Sequence, residues 1–312
     1  MHSADVAEPS LLLRRDAVRE GWSDDELARL ARAGELTRLR RGAYVDGVLP
    51  DDAAARHRLL VRATLSGCRL PAVVSHQSAA VLLGLPLWNV GLDRVHVTRR
   101  PPAWTGTSAA LRVHVSRLRD DEIVEVDGIR VTGPVRTALD LARSAPFESA
   151  VVMLDAAIRA GSPARPLLQE RLMDIVGAPG SRSAARAIAF ADGRSGSVGE
   201  SRSRVLLHRL GLPPTDLQFE VRGADGQLVG RTDFVWEDAR LVGEFDGRVK
   251  YGRLLRPGQD TGDAVFEEKR REDAIRDEGW GVVRWTWSDL GRGDILGQRV
   301  RRAHDRGIGG RG

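Results

Sequence analysis

At 312 residues the chain is long enough for two or three domains, each with its own core. An apolar fraction of 42% is ordinary for a globular protein, and 48 Lys and Arg against 43 Asp and Glu leave a net charge of +5, which permits a polyanionic partner such as DNA without requiring one. The lone cysteine, Cys68, excludes an internal disulfide and a multi-cysteine zinc site and reads as a small buried residue, and the lack of a basic, apolar leader or a bilayer-length apolar run predicts a cytoplasmic chain with no membrane partner.

The N-terminal segment reads as two short helices and a hairpin. Ser10 is placed to cap a helix over Leu11–Glu20, closed by Gly21, and Ser23 to cap a second over Asp24–Ala33, closed by Gly34. Leu27, Leu30 and Ala31 form the apolar stripe of the second helix. Leu36–Arg41 and Ala43–Val45 are predicted strands around Gly42. Two helices followed by a basic hairpin outline a winged helix-turn-helix, which sets a helix in the DNA major groove. In that outline Arg38, Arg40 and Arg41 lie on the wing near phosphates, and Arg29 and Arg32 on the second helix. Asp24, Asp25 and Glu26 oppose it, because they meet a polyanion with like charge. The competing reading is a small helical adaptor with solvated arginines.

A helix through His57 to Ser66 leads into a mixed middle segment. Ala72–Val74, Val95–Thr98 and Leu111–Ser116 read as strands, and Ser75 caps a helix over His76–Leu83. Ile123–Val126, Asp127-Gly128 and Ile129–Thr132 spell a tight hairpin. Helices are predicted over 134–142, 147–160, 167–176 and 181–192. In the first of these Arg136 and Asp140 are spaced to pair at i, i+4. His76, His96 and His114 lie here without helical metal-site spacing, and they read as structural residues. Gly193–Gly199 reads as a flexible joint.

The last segment runs helix (200–210), three strands (216–221, 229–236, 241–246), helix (263–278), strand (281–286), helix. A polar loop over 253–262 is a candidate for closing over a substrate. The central strands are apolar and therefore covered, yet they contain Asp233, Glu244 and Asp246. Alternation puts Glu244 and Asp246 on one face of their strand, and an unpaired Asp233 inside a covered strand is costly. Three acids that converge, with Lys250 just beyond the strand end, make a candidate divalent-metal site with a nearby cation. The competing reading is an acidic surface hairpin closed by an Asp-Gly turn.

The pattern Asp233, Glu244-x-Asp246-Gly247, Lys250, Glu268–Asp273 and Gly279-Trp-x-Val-Val-Arg-Trp285 resembles the PD-(D/E)XK endonuclease-like domains related to very-short-patch-repair nucleases. That resemblance spans 196–290. It implies DNA phosphodiester hydrolysis with Mg²⁺ or Mn²⁺, with Asp233, Glu244 and Asp246 as metal-binding acids and Glu200 as an auxiliary acid. The usual lysine two residues beyond the strand acid is replaced by Asp246, which leaves Lys250 or Lys269 to supply the cation.

Residues 10–160 resemble the antitoxins of abortive-infection type IV toxin–antitoxin systems, the AbiEi-like family. The matching pieces are Leu36-x-x-Leu-Arg-Arg-Gly-x-Tyr44, Val74-Ser-His-Gln-Ser-Ala-Ala80, Val95–Thr98 and Val131-Thr-Gly-Pro-Val-Arg-Thr-Ala-Leu-Asp140. This second resemblance implies promoter DNA and a cognate toxin as partners.

The expectation is thus a multidomain α/β protein. It has a winged-helix-like segment over 1–50, an antitoxin-like mixed α/β segment over 51–192 and an endonuclease-like α/β segment over 196–312. Its function is either metal-dependent DNA cleavage or, as the alternative, transcriptional regulation by an antitoxin with a degenerate nuclease domain. An RNA-directed nuclease has no recognition motif in its favour. Oligomeric state is left open.

Overall fold

The computed structural model describes residues 9–68, 72–161, 163–247 and 261–309, with the side chains of 261–266 set aside. Among the described residues the chain is mixed α/β with three separate sheets of three, six and four strands. It divides into two units, Met1–Ala145 with Arg165–Ala185, and Pro146–Ala164 with Arg186–Gly312.

The first unit opens with β1 (Leu11–Leu13), α1 (Arg14–Arg19), α2 (Asp24–Ala33), β2 (Leu36–Arg40) and β3 (Ala43–Asp46). Leu11–Leu13 is not the helix start expected from Ser10. It pairs antiparallel with Ala43–Val45, giving sheet order β1-β3-β2. Three leucines in a row gain more by closing the free edge of β3 than by starting a helix whose cap position, Leu13, offers no side-chain acceptor. The second helix matches its prediction, with a Ser23/Glu26 capping box and Gly34 at φ 77° as its left-handed end. Ala17, Leu27 and Leu36 form the small core beneath.

The same unit continues through α3 (Ala53–Ser66), β4 (Val73–Val74), α4 (His76–Leu82), β5 (Val95–Arg99), β6 (Gly106–Thr107), β7 (Leu111–Val115), β8 (Ile123–Val126) and β9 (Ile129–Thr132). The six-stranded sheet has the order β6-β7-β5-β4-β9-β8, with β5 and β7 parallel. Val61, Val74, Val95, Val97 and Val131 are its core. Asp127 and Gly128 both have positive φ, as a tight hairpin turn demands. Cys68 is only half-buried, against the expectation of full burial, because it lies just past the Gly67 end of α3.

Then come α5 (Pro134–Ser144), α6 (Phe147–Arg159), α7 (Arg165–Met173) and α8 (Ser181–Phe190). Arg136 and Asp140 pair as expected, at 3.0 and 3.1 Å. The units do not follow the three sequence segments: α6 and residues 186–192, read as part of the middle segment, belong to the second unit.

The second unit adds α9 (Val198–Arg209), β10 (Asp216–Arg222), β11 (Leu228–Trp236), β12 (Leu241–Asp246), α10 (Thr261–Asp277), β13 (Gly281–Thr286), α11 (Trp287–Leu290) and α12 (Gly293–Gly309). Its sheet order is β10-β11-β12-β13, antiparallel except for the parallel β12–β13 pair. One face buries Phe234, Trp236, Leu241 and Trp285, and the other Val221, Val235, Val242 and Ile275, so the central strands are covered on both sides as read. Asp155 ties α6 to α9 through Arg204, at 2.6 and 2.8 Å, with Asp155 wholly buried.

Gly193–Gly199 is not a loose joint. Ser195 is buried, its carbonyl accepts from Arg159, and Arg194 pairs with Asp192 and Asp216. A side chain at Gly193 would meet Ile158 at 2.8 Å. Small residues serve close packing here, not freedom. The expected loop over 253–262 lies outside the described residues except for its last two positions, which start α10.

Candidate functional site

The acids of the second unit do converge. Asp233, Glu244 and Asp246 line one cavity of about 250 Å³, with Glu268, Arg231, Arg271 and Arg284. The register that pairs Phe234 with Gly243 and Val235 with Val242 sets Asp233 beside Glu244 on one side of the sheet. Glu200 joins them through Gln218, whose side-chain amide donates to Glu200 at 2.9 Å and to Asp233 at 3.3 Å. The second oxygen of Asp233 accepts the backbone N–H of Phe245 at 2.8 Å. Burial, then repulsion from Glu200, pushes the Asp233 carboxyl up to about 6.

Glu244 is held differently. Arg271 lies 2.8 Å from one of its oxygens and Arg284 2.7 Å from the other. Arg284 also reaches Glu268 and Glu272, so the carboxylate sits inside a five-membered ion network. One oxygen of Glu244 has no partner at hydrogen-bond angles, which makes its contact an ion pair and not a directed bond. Burial raises the Glu244 carboxyl, and the two guanidiniums oppose that rise. Glu200 likewise accepts the backbone N–H of Gly196 at 2.6 Å. The acids are therefore gathered, but Asp233, Glu244 and Glu200 each have partners from the protein.

The lysines expected to supply a cation are not what the cavity presents. Lys250 lies outside the described residues, and Lys269 is exposed on α10 and absent from the cavity lining. Arg271 and Arg284 take the cationic positions, because one turn of α10 and the parallel β13 bring them over Glu244. Sequence reasoning missed both, and missed Gln218. Gln218 falls opposite Asp233, between the Leu217–Phe234 and Phe219–Thr232 pairs, and at φ 53° its backbone is left-handed. No local sequence signal marks that pairing.

At the N-terminus two of the three acids that opposed DNA binding are engaged locally, and Asp25 is exposed. Arg14 grips Asp24 with two 2.6 Å bonds, and Glu26 accepts the Ser23 backbone N–H at 2.7 Å. Arg29, Arg32, Arg38 and Arg41 are exposed. Arg40 is different: its guanidinium donates to the carbonyls of Ala63 and, at 2.8 Å, Arg41, which fastens the hairpin to α3. It is a structural residue, because a hairpin packed on a helix needs its last carbonyls satisfied.

The largest departure concerns the histidines. His76, His96 and His114 lie far apart in sequence, yet one ring nitrogen from each falls within 4.8 Å of the others. Parallel β5 and β7 pair His96 with Arg112 and Thr98 with His114, and β4 delivers the start of α4 beside them. The His76 and His114 rings stack at 3.8 Å, and His96 Nδ1 is 3.0 Å from His114 Nε2. Burial holds His96 down to about 3 and His114 to about 4, so the rings are neutral near pH 7. Spacing arguments built for helices could not find a cluster assembled by sheet register.

A sequence profile described as a transcriptional regulator, AbiEi antitoxin, matches residues 7–45, the stretch that carries β1 through most of β3. Over 182 residues the chain is 31% identical to two Mycobacterium tuberculosis proteins, "Uncharacterized protein Rv2248" (strain ATCC 25618 / H37Rv) and "Uncharacterized protein MT2308" (strain CDC 1551 / Oshkosh). The match covers 58% of this chain and 64% of those relatives. Among solved structures, the RV2827C protein from M. tuberculosis matches 69% of this chain and 84% of its own at 17% identity, with a TM-score of 0.37. No helix of the described residues is long and apolar enough to cross a membrane.

Proposed function

We propose that the chain is a DNA-binding transcriptional regulator of the antitoxin type, partnered by a cognate toxin, whose second unit is a nuclease-like domain that has become a binding module. The observation that carries this reading is at α2. Asp24 and Glu26 are neutralised or capped by Arg14 and Ser23, while Arg29, Arg32, Arg38 and Arg41 stay exposed along α2 and the β2–β3 hairpin. The β1-α1-α2-β2-β3 order supports a winged helix-turn-helix reading of this segment. The match of residues 7–45 to the antitoxin profile supports it independently.

The second unit supports the non-catalytic half of the proposal. Its order of helix, three strands, helix, strand and helices supports a nuclease-like reading of this unit. The donor set, as arranged, does not fit a Mg²⁺ or Mn²⁺ ion, because the Glu244 carboxylate is clamped by two guanidiniums. A second reading, an Mg²⁺-dependent DNA endonuclease, is favoured by the three acids lining one cavity, and it requires Arg271 and Arg284 to release Glu244.

Gel-shift titration of duplex DNA at several salt concentrations tests the proposal, run beside plasmid cleavage with Mg²⁺ or Mn²⁺. Wild type is expected to bind with a steep salt dependence, and Arg38→Glu/Arg41→Glu to weaken binding and lower the salt slope by about two. Metal-dependent cutting that vanishes in Asp233→Ala would replace the regulator reading with the nuclease.

A further inference from the structure

We propose that His76, His96 and His114 form a binding site for a divalent transition cation of the Zn²⁺ class. The site lies in the first unit, and neither the acidic cavity nor the basic surface uses it. Three imidazoles arrive from three separate elements: the first turn of α4, the middle of β5 and β7. Their candidate ligand atoms lie within 4.8 Å of one another, close enough for small ring rotations to reach the roughly 3.3 Å spacing of nitrogens around a tetrahedral Zn²⁺. His76 and His96 are buried, with His114 half-buried at the edge, so the cluster has both a protein-lined floor and a way in.

The local chemistry selects the ion. No thiolate or carboxylate is part of the cluster, and three neutral nitrogens suit Zn²⁺, Co²⁺, Ni²⁺ or Cu²⁺ and not Mg²⁺ or Ca²⁺. Three protein ligands leave a fourth position for water. The surroundings hold the rings in place. The Ser75 hydroxyl meets His76 Nδ1 at 3.0 Å, which leaves Nε2 to the cluster. Thr98 donates to that same hydroxyl.

Ser78 anchors the other side: its oxygen accepts the His96 backbone N–H at 2.8 Å. His57 Nδ1 donates to the Leu92 carbonyl, so its Nε2 accepts from Ser78, and both residues are saturated. His76 itself adopts φ 54°, a left-handed conformation that an ordinary helix start does not require.

Positive charge nearby is balanced in part, with Arg112 adding to it beside His96 and His114. Arg136 is paired with Asp140 and Glu122, and Arg143 lies 3.8 Å from Asp140. Without an ion the His96 Nδ1 proton bridges to His114 Nε2 across 3.0 Å. On binding, both nitrogens become ligands and the His96 proton moves to Nε2, opposite the Gln77 amide at 2.8 Å. The amide must then present its oxygen. A carboxylate at position 77 would accept that proton better and tighten the site.

The experiment uses the full chain without an affinity tag, titrated with Co²⁺ and then Zn²⁺. Wild type is expected to take one Co²⁺ with the visible bands of a nitrogen-rich site of low coordination number, and Zn²⁺ is expected to displace it. Binding should disappear in His96→Gln/His114→Gln and tighten about tenfold in Gln77→Glu. X-ray absorption of the wild-type zinc form is expected to show imidazole scattering from three rings, a readout that does not depend on any variant folding. No binding by wild type, an oxygen-only shell, or equal binding in the double variant would overturn the site, the last by placing the ion elsewhere in the chain.

Discussion

Glu244 and Arg284 are register partners across the parallel β12–β13 pair, and their charged groups meet at 2.7 Å. The ion pair is thus built into the strand pairing, and Arg271 of α10 completes it from the other side at 2.8 Å. Replacing both arginines strands a carboxylate that is only 8% exposed. We expect Arg271→Met/Arg284→Met to lower stability by about 3–5 kcal/mol without metal, the cost of leaving a buried charge unpaired. Added Mn²⁺ should restore part of that loss in the variant and do little for wild type. Thermal melts with and without Mn²⁺ decide it; equal stabilisation of both proteins would show that the clamp does not exclude an ion.

Asp233 carries a pH signature. Its folded carboxyl titrates near 6, above the ordinary 3.8, through burial and then repulsion from Glu200. The folded state therefore binds this proton more tightly than the unfolded chain does. Stability is lost as pH rises through about 6, and the penalty is absent below about 4. Asp233→Asn mimics the protonated form. Without metal it should exceed wild type by on the order of 1–2 kcal/mol near pH 8, with the gap closing by about pH 4. Urea unfolding across that range measures it, and a gap that widens in acid would refute the assignment.

The Asp155–Arg204 pair predicts where the second unit can be cut. A fragment beginning at residue 196 keeps Arg204 but loses α6 and the wholly buried carboxylate it binds at 2.6 Å. A fragment beginning at residue 146 keeps both. Circular dichroism melts should show a cooperative transition for the longer fragment and a broad or absent one for the shorter. Within the full chain, Arg204→Met should lower stability by about 3–5 kcal/mol.

Arg38 and Arg40 are close in sequence and opposite in role. Arg40→Ala removes donors from the carbonyls of Ala63 and Arg41 and should lower stability by about 1–3 kcal/mol. Its DNA affinity, measured where the protein is folded, should stay within about twofold of wild type. Arg38→Ala should do the reverse. A DNA-binding loss in Arg40→Ala as large as that in Arg38→Ala would put Arg40 on the phosphates after all.

Much of the chain was legible because local rules sufficed. The Ser23 cap with Gly34, the Asp127-Gly128 hairpin, the Arg136–Asp140 pair and the covered strands around Asp233 and Glu244 follow from spacing, turn chemistry and alternation within a few residues. What lay beyond sequence was every relationship set by which strand lies beside which. The β12–β13 register gave Glu244 an arginine in place of the expected lysine. The β10–β11 register set Gln218 opposite Asp233, where its amide links Asp233 to Glu200, and the free edge of β3 drew Leu11–Leu13 into a strand. The parallel β5–β7 pair, with α4 beside it, gathered three histidines separated by 20 and 18 positions into one cluster. Residue type and short-range period are written along the chain, whereas sheet order is a long-range choice decided by packing, and it is sheet order that determines which charged and ligating groups meet.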